Sequence, residues 1–204
     1  MVDTTFIDDL ASSAPTPGGG GASAYCGALA SALASMVGNL TLGKKKYAAV
    51  EEEIAAVMAQ LSDKRAALLD LIDQDARAFE PLAQTYRMPS ATPEEQQVKH
   101  SAQQAALIDA IEVPLAIMRT CADVLDLTDV MAKKGSRLAV SDAGVAAVFA
   151  RAAIEGASLN VFINVASLED SAKAQAYERA ARDLIAENQT KAQALFAYVC
   201  DEIG

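Results

Sequence analysis

The feature that most limits the fold is a stretch without one charged residue, from Leu10 to Gly43. It is long enough to cross a bilayer. However, it opens with prolines and four glycines and continues mainly in Ala, Ser and Gly. Ala30, Ala34 and Gly38 recur at four-residue spacing, which suits close contact between helices. We therefore predict a helix over about 22–42 that is buried on most sides of a helical bundle rather than in a membrane.

The rest of the chain also favours helices. Hydrophobic residues make up 52% and charged residues 22% of the 204, which excludes a disordered chain. Start and stop signals, such as Thr92-Pro93-Glu94-Glu95, divide the sequence into segments, and no segment alternates as a strand would. The predicted fold is an all-α bundle of five or six long helices in one domain over residues 1–204. Besides a short helix near Thr4-Thr5 and the small-residue helix, the expected helices cover about 47–86, 92–134 with a kink or break at Pro114, 141–168 and 171–201.

Composition and charge exclude several partners. The formal net charge of −10 repels nucleic acid. The three cysteines are far apart and the single histidine, His100, lies in a polar run that favours a solvent-facing position. No spacing typical of a metal site is present. Since Met-Val-Asp-Thr-Thr also lacks the basic region of a secretory signal, we expect a reduced, cytoplasmic protein without a metal.

One carboxylate interrupts the most regular helical pattern. Positions 54, 61, 68, 75 and 82 repeat every seven residues and read Ile, Leu, Leu, Asp and Leu. Asp75 therefore lies on the face that should be buried. A buried carboxylate is costly unless it is paired or hydrogen-bonded. Asp75 is either the partner of a cation on a neighbouring helix or a functional group.

Two further runs stand out. Gly18, Gly19 and Gly20 begin a run of four glycines before the predicted helix. Such a run is either a linker or a loop that presents N–H groups to a polar ligand. Lys44 and Lys45 belong to a three-lysine run in an acidic chain. They either form a solvated turn that stabilises a helix C-terminus or attract an anionic substrate tail.

Polar residues also lie at both ends of one predicted helix. Ser141 and Asp142 begin it, where the helix dipole favours negative charge and would by itself explain Asp142. Asn160 and Asn164 share one face in an apolar run, so their amides need partners. About 27 Å separates Asp142 from Asn160 along an unbroken helix. They serve one pocket only if the ligand is long, the helix is broken or two subunits share the site.

Six motifs occur in an order that resembles the cyclodeaminase/cyclohydrolase family of folate enzymes. That family includes methenyltetrahydrofolate cyclohydrolases and the C-terminal domain of formiminotransferase-cyclodeaminase. The resemblance covers nearly the whole chain and implies an all-helical, dimeric folate enzyme with no metal and no cofactor beyond the folate substrate. The motifs are Pro15-Thr-Pro-Gly-Gly-Gly20, Asn39-Leu-Thr-Leu-Gly-Lys-Lys-Lys-Tyr47, Asp75-Ala-Arg-Ala-Phe79, Val113-Pro-Leu115, Ser141-Asp-Ala-Gly-Val-Ala-Ala147 and Asn160-Val-Phe-Ile-Asn164.

The resemblance implies roles for these residues. Asp75 and Asp142 are the candidates for general base and charge stabiliser, in that order. The glycine run, Ser141 and the two asparagines are the candidates for binding the pterin or the attacking water. Lys44 and Lys45 are the candidates for binding the glutamate tail.

The resemblance implies two related reactions. A cyclohydrolase converts 5,10-methenyltetrahydrofolate to 10-formyltetrahydrofolate, whereas a cyclodeaminase releases ammonia from a formimino-folate. The sequence shows no formiminotransferase domain to hand over a formimino-folate, so we favour the cyclohydrolase. The alternative from another class is a non-catalytic helical interaction module, which would leave Asp75 and the glycine run unexplained.

Overall fold

The computed structural model describes residues 4–204 and contains six α-helices and no strand within that range. The helices, in chain order, are α1 (Thr5–Leu10), α2 (Gly19–Asn39), α3 (Glu51–Tyr86), α4 (Pro93–Lys134), α5 (Val140–Val165) and α6 (Ser171–Ile203). Short 3-10 helices, Lys45–Val50 and Arg137–Ala139, precede α3 and α5. The expected all-α fold is confirmed. The expectation about a secretory signal rests partly on residues 1–3, which lie outside the described residues.

Helix α2 is a core helix of the bundle and packs against α3, α4 and α5. Its small residues let the neighbours approach: a Cβ on Gly27 would overlap Cys121, and a Cβ on Gly38 would overlap Met58. Both α2 and the stretch 137–165 are long and apolar enough to cross a membrane by length and composition alone. In the most apolar window of α2, 61% of the residues are nevertheless buried inside the bundle. This burial is the arrangement expected of a core helix.

The seven-residue pattern of α3 forms its buried face. Leu61, Leu68 and Leu82 are almost fully buried there, and Asp75 is half-buried among them. Arg65, also on this face, donates to Ser35 Oγ of α2 at 2.9 Å. The predicted seam is therefore confirmed, and one of its two charged residues, Arg65, is hydrogen-bonded to a polar residue of α2.

Several helix ends and interruptions differ from the sequence-based expectations. The glycine run is the N-cap and first turn of α2 rather than a loop before it. Helix α3 begins at Glu51, after a 3-10 helix, and not near residue 47. Helix α4 continues through Pro114 without a break. His100, as expected, is a partly exposed residue of α4, with Nε2 2.7 Å from Glu169 Oε1.

Candidate active site

Asp75 faces the beginning of α2. Its Oδ2 accepts a hydrogen bond of 3.0 Å from the backbone N–H of Gly21. Gly20 is buried directly against the same carboxylate, so that a Cβ at this position would overlap it. Among residues 4–204, no cation forms an ion pair with Asp75. The sequence left two interpretations of Asp75 open, an interhelical salt bridge or a functional group. The structure contains no such salt bridge among residues 4–204, so the functional interpretation remains.

The electrostatics of Asp75 result from two opposing effects. Burial raises the pKa of the Asp75 carboxyl, and the hydrogen bond from Gly21 lowers it by a smaller amount. The N-terminus of α2 also carries partial positive charge, which favours an anion at this position. The result is a half-buried carboxylate without an ion-pair partner among residues 4–204, whose affinity for a proton is higher than that of an ordinary aspartate.

The glycine run supplies unused hydrogen-bond donors. Gly18 is the N-cap of α2, and the first hydrogen bond within the helix runs from Ala22 N to Gly18 O. Gly21 N–H donates to Asp75. The N–H groups of Gly19 and Gly20 have no acceptor among residues 4–204, as is typical of a first helical turn. Two donors thus lie beside the carboxylate, in a helix terminus rather than in the loop that the sequence suggested.

Asn160 joins this group from α5. Its Nδ2 lies 3.4 Å from the position that a Cβ on Gly19 would occupy. The same nitrogen donates a long hydrogen bond of 3.4 Å to Gly156 O. Asp75, the first turn of α2 and Asn160 therefore form one cluster, which we call the Asp75 cluster.

Asn164 has a structural partner instead. Its Nδ2 donates to Ala110 O of α4 at 2.8 Å. Pro114 has no N–H and cannot bond to that carbonyl, four residues before it. The asparagine satisfies the acceptor that the proline leaves free. This contact explains why α4 continues through Pro114, and it explains Asn164 without a substrate.

The remaining predicted residues lie at the opposite end of the bundle. Ser141 and Asp142 lie in the first turn of α5, and Lys44 and Lys45 follow α2 and are exposed. Since α2 has 21 residues, about 30 Å of helix separates its lysine end from the Asp75 cluster. We call these four residues the Asp142 group. Within one chain, the structure does not bring the two groups together.

Comparison with known proteins identifies the family. A family model described as formiminotransferase-cyclodeaminase matches residues 3–183. Methenyltetrahydrofolate cyclohydrolase of Methylorubrum extorquens is 45% identical over 183 residues, or 90% of this chain and 88% of that protein. This chain belongs to the formiminotransferase-cyclodeaminase family. The resemblance inferred from the six motifs is therefore confirmed.

Two further relatives within the formiminotransferase-cyclodeaminase family differ in length. Formimidoyltransferase-cyclodeaminase of Sus scrofa is 34% identical over 92% of this chain, and the match covers 35% of that protein. The crystal structure of formiminotetrahydrofolate cyclodeaminase from Thermotoga maritima has a TM-score of 0.81 and 28% identity. That match covers 99% of this chain and 95% of the other. The fold of this family member is thus shared over 99% of its length.

Two features of this family member were not found by sequence reasoning. The first is Tyr47, whose hydroxyl accepts from the backbone N–H of Arg137 at 3.1 Å, close to the Asp142 group. This hydrogen bond is the main reason that the pKa of Tyr47 is lowered. The second is a cavity of about 430 Å³ beside the Asp75 cluster, with Arg77 and Arg87 in its wall. The contacts that create both features are non-local, so no pattern in the sequence marks them.

Residues 4–204 contain no group of three His, Cys, Asp or Glu side chains close enough to hold a metal ion. The donors that the Asp75 cluster offers are one carboxylate, one amide side chain and backbone N–H groups. This set can bind a cation through Asp75 and polar atoms through the N–H groups.

Proposed function

We propose that this protein is a methenyltetrahydrofolate cyclohydrolase. The observation that carries the proposal is the 45% identity to a protein of that name, over 88% of the length of that relative. Asp75 supports it independently, because its negative charge lies in a half-buried position without a cationic partner among residues 4–204. Such a position suits a cationic substrate.

The chemistry requires a base and a site for positive charge. In 5,10-methenyltetrahydrofolate, one carbon bridges N5 and N10 as an amidinium cation. Asp75 stabilises this cation and accepts a proton as water adds to the carbon. The protonated carboxyl then gives that proton to N5. As the C–N5 bond breaks, the hydroxyl of the adduct becomes the formyl carbonyl and its proton passes to solvent, so that 10-formyltetrahydrofolate and one H⁺ are formed. The raised proton affinity of Asp75 suits both transfers.

The neighbouring groups orient the reaction. The free N–H groups of Gly19 and Gly20 are placed to donate to the pterin or to the oxygen that becomes the formyl group. Asn160 is placed to hold the water or the pterin. In this proposal, Asp142 stabilises positive charge and Lys44 and Lys45 contact the substrate only if a second copy brings them to the Asp75 cluster.

A homodimer in which both copies contribute residues to each active site would bring the Asp142 group of one copy to the Asp75 cluster of the other. Helices α2 and α5 are antiparallel, since Gly19 lies near Asn160 at one end and Ser136 N donates to Thr41 Oγ1 at 2.8 Å at the other. The two helices pack against each other, and each exposes apolar side chains at spacings that keep them on one side of the helix. The exposed members are Leu29, Met36, Leu40, Val145, Val148, Leu159 and Ile163. We call this surface the α2/α5 face.

A second copy is the occupant that best fits the α2/α5 face. A two-fold axis perpendicular to the helices would pair the face with itself. The same rotation would place the Asp142 group of one copy beside the Asp75 cluster of its partner. Both groups contain motifs that carry the family resemblance, and a shared site gives both a role. We therefore propose a cytoplasmic homodimer, whose three unpaired cysteines suit a reducing compartment.

The cyclodeaminase reaction is the second candidate. It is favoured by the likeness to the Thermotoga maritima cyclodeaminase, which covers 99% of this chain. The deciding experiment offers both substrates to the purified protein and compares kcat/KM. We expect rapid loss of methenyl absorbance and slower ammonia release from the formimino substrate. Fast ammonia release, with methenyl hydrolysis at the spontaneous rate, would assign the cyclodeaminase reaction. No turnover of either substrate would favour the non-catalytic interaction module.

A further inference from the structure

The cavity beside the Asp75 cluster has a wall of mixed chemistry. It has a volume of about 430 Å³ and lies between α3 and the loop before α2. Thr16 lines it on the loop side, and Arg77, Phe79, Glu80 and Arg87 line it on the α3 side. This volume is typical of small-molecule sites. The cavity begins at Ala76, next to the candidate base, and extends along about 16 Å of helix to Arg87.

The arginine side chains of this wall can bind an anion. Arg87 forms no ion pair among residues 4–204, and Arg77 Nη2 is 3.9 Å from Asp70 Oδ1 in an exposed, weak pair. Glu80 is the one acidic residue of the wall, and its Oε1 accepts from Gln84 Nε2 at 3.5 Å. The wall therefore carries one more positive than negative charge, in a chain whose net charge is −10. This local excess of positive charge favours an anionic ligand group.

The order of groups along α3 matches the order of groups in a folate. In order along α3 come Asp75, whose carboxylate contacts the first turn of α2 just before the wall begins, and then Phe79 and Arg87 in the wall itself. A methenyl-folate has a cationic carbon, then a benzoyl ring, then the carboxylates of glutamate. We propose that this cavity is the subsite for the p-aminobenzoylglutamate portion of the substrate. Phe79 contacts the ring, and Arg87, with Arg77 beside it, binds the glutamate carboxylates.

This inference rests on the proposed function and changes one part of the sequence-based expectation. It assigns the glutamate to residues of the same chain that holds Asp75, instead of to Lys44 and Lys45. The experiment compares 5,10-methenyltetrahydrofolate with 5,10-methenyltetrahydropteroate, which lacks the glutamate. The value of kcat/KM for the glutamate-bearing substrate, divided by the value for the pteroate, reports what the glutamate contributes to transition-state binding.

We expect Arg87→Gln to lower this ratio about tenfold, through a higher KM for the glutamate-bearing substrate. We expect Glu80→Gln to raise the ratio, because it removes a negative charge from the same wall. Arg119→Gln is the matched control: it removes an arginine on α4 that is 55% exposed and lies 4.0 Å from Glu112. That control should leave the ratio at the wild-type value.

Two results would overturn the inference while leaving the proposed function intact. One is normal hydrolysis with a ratio that Arg87→Gln and Arg77→Gln leave unchanged. The other is a ratio that falls in a Lys44→Gln, Lys45→Gln double variant and not in the arginine variants. If the wild-type protein hydrolyses neither substrate above the spontaneous rate, the proposed function itself fails and the subsite fails with it.

Discussion

At the scale of single residues, Asp75 is the group on which the proposed chemistry depends. The half-buried carboxylate has one hydrogen bond, from Gly21 N–H, and no ion-pair partner among residues 4–204. Burial of its charge opposes folding, so the position is explained by function better than by stability. An amide at this position would keep the hydrogen bond and remove the charge.

We expect Asp75→Asn to lower kcat at least about 100-fold, the usual range for loss of a general base. The melting temperature at neutral pH should be unchanged or higher. Burial raises the pKa of Asp75, so its contribution to the free energy of unfolding is most favourable at acid pH and falls as pH rises through that pKa. The asparagine stays neutral and avoids this loss. Methenyl absorbance and thermal unfolding measure the two effects, and a stable variant with full activity would remove Asp75 from the site.

The pH dependence of activity follows from the same group. A base must be unprotonated, so kcat should rise with pH through the pKa of Asp75 in the enzyme–substrate complex. The bound amidinium cation lowers that pKa relative to the free enzyme. We therefore expect the acid limb of kcat/KM, which reports the free enzyme, to lie at higher pH than the acid limb of kcat. Two coincident limbs would argue against charge contact between Asp75 and the substrate.

Substitution of Gly20 tests whether catalysis depends on the exact position of the Asp75 carboxylate. A Cβ on Gly20 would overlap the Asp75 carboxylate, whereas a Cβ on Gly19 would lie 3.4 Å from Asn160 Nδ2 and fit with little movement. We expect Gly20→Ala to lower kcat by at least about tenfold, since small displacements of catalytic groups are costly. Gly19→Ala is the matched control and should lose much less. Equal losses in the two variants would show that the glycine run acts only through its backbone flexibility.

At the scale of elements, Pro114 and Asn164 form a pair between α4 and α5. Asn164→Ala leaves the carbonyl of Ala110 without a donor, which should cost about 1–3 kcal/mol of the free energy of unfolding. In a Pro114→Ala background, the new N–H of residue 114 can bond to Ala110 O, so the same substitution should cost less. Urea denaturation of the four proteins gives the coupling between the two sites. Additive losses would show that the amide does not compensate for the proline.

The helices themselves were largely predictable, and the exceptions have physical causes. The capping box at Thr92 and the side-chain cap at Asp170 fix the starts of α4 and α6 by local interactions. Helix α2 begins inside the glycine run because the Asp75 carboxylate of another helix accepts from its first turn. Helix α4 continues through Pro114 because of Asn164, 50 residues further along the chain. Sequence patterns predict local stabilisation but not these contacts between distant residues.

The candidate site was also predictable only in part, because contacts between distant residues form some of it. Asp75 was identifiable because it breaks a regular apolar repeat, and the glycine run because four consecutive glycines before a helix leave backbone N–H groups open to a polar ligand. The cavity with Arg77 and Arg87 was not identifiable, since its wall combines α3 with a loop some sixty residues earlier in the chain. The separation of Asp142 from Asn160 along α5 was predictable by helix geometry, and α5 is indeed unbroken.

At the scale of the whole molecule, the α2/α5 face should determine the oligomeric state. A charge in the middle of this face, Met36→Glu or Val148→Glu, would be buried without a partner in the proposed dimer. We expect either variant to be monomeric by light scattering at micromolar concentration, while the wild-type protein is a dimer. Leu69→Glu is the matched control, because Leu69 is similarly exposed, at 47% against 45% for Met36, but lies on α3. A monomeric wild-type protein would contradict the proposal.

The last prediction concerns how two copies divide the catalytic groups. If each site takes Asp75 from one copy and Asp142 from its partner, Asp75→Asn and Asp142→Asn should each be inactive alone. A mixed dimer of the two variants contains one site with both aspartates and one with neither. After denaturation and refolding of an equal mixture, random pairing should restore about a quarter of wild-type activity. Each variant refolded alone is the control. If both aspartates of a site came from the same chain, mixing would restore nothing. The substrate itself would then have to span the distance of about 30 Å that α2 places between the two groups.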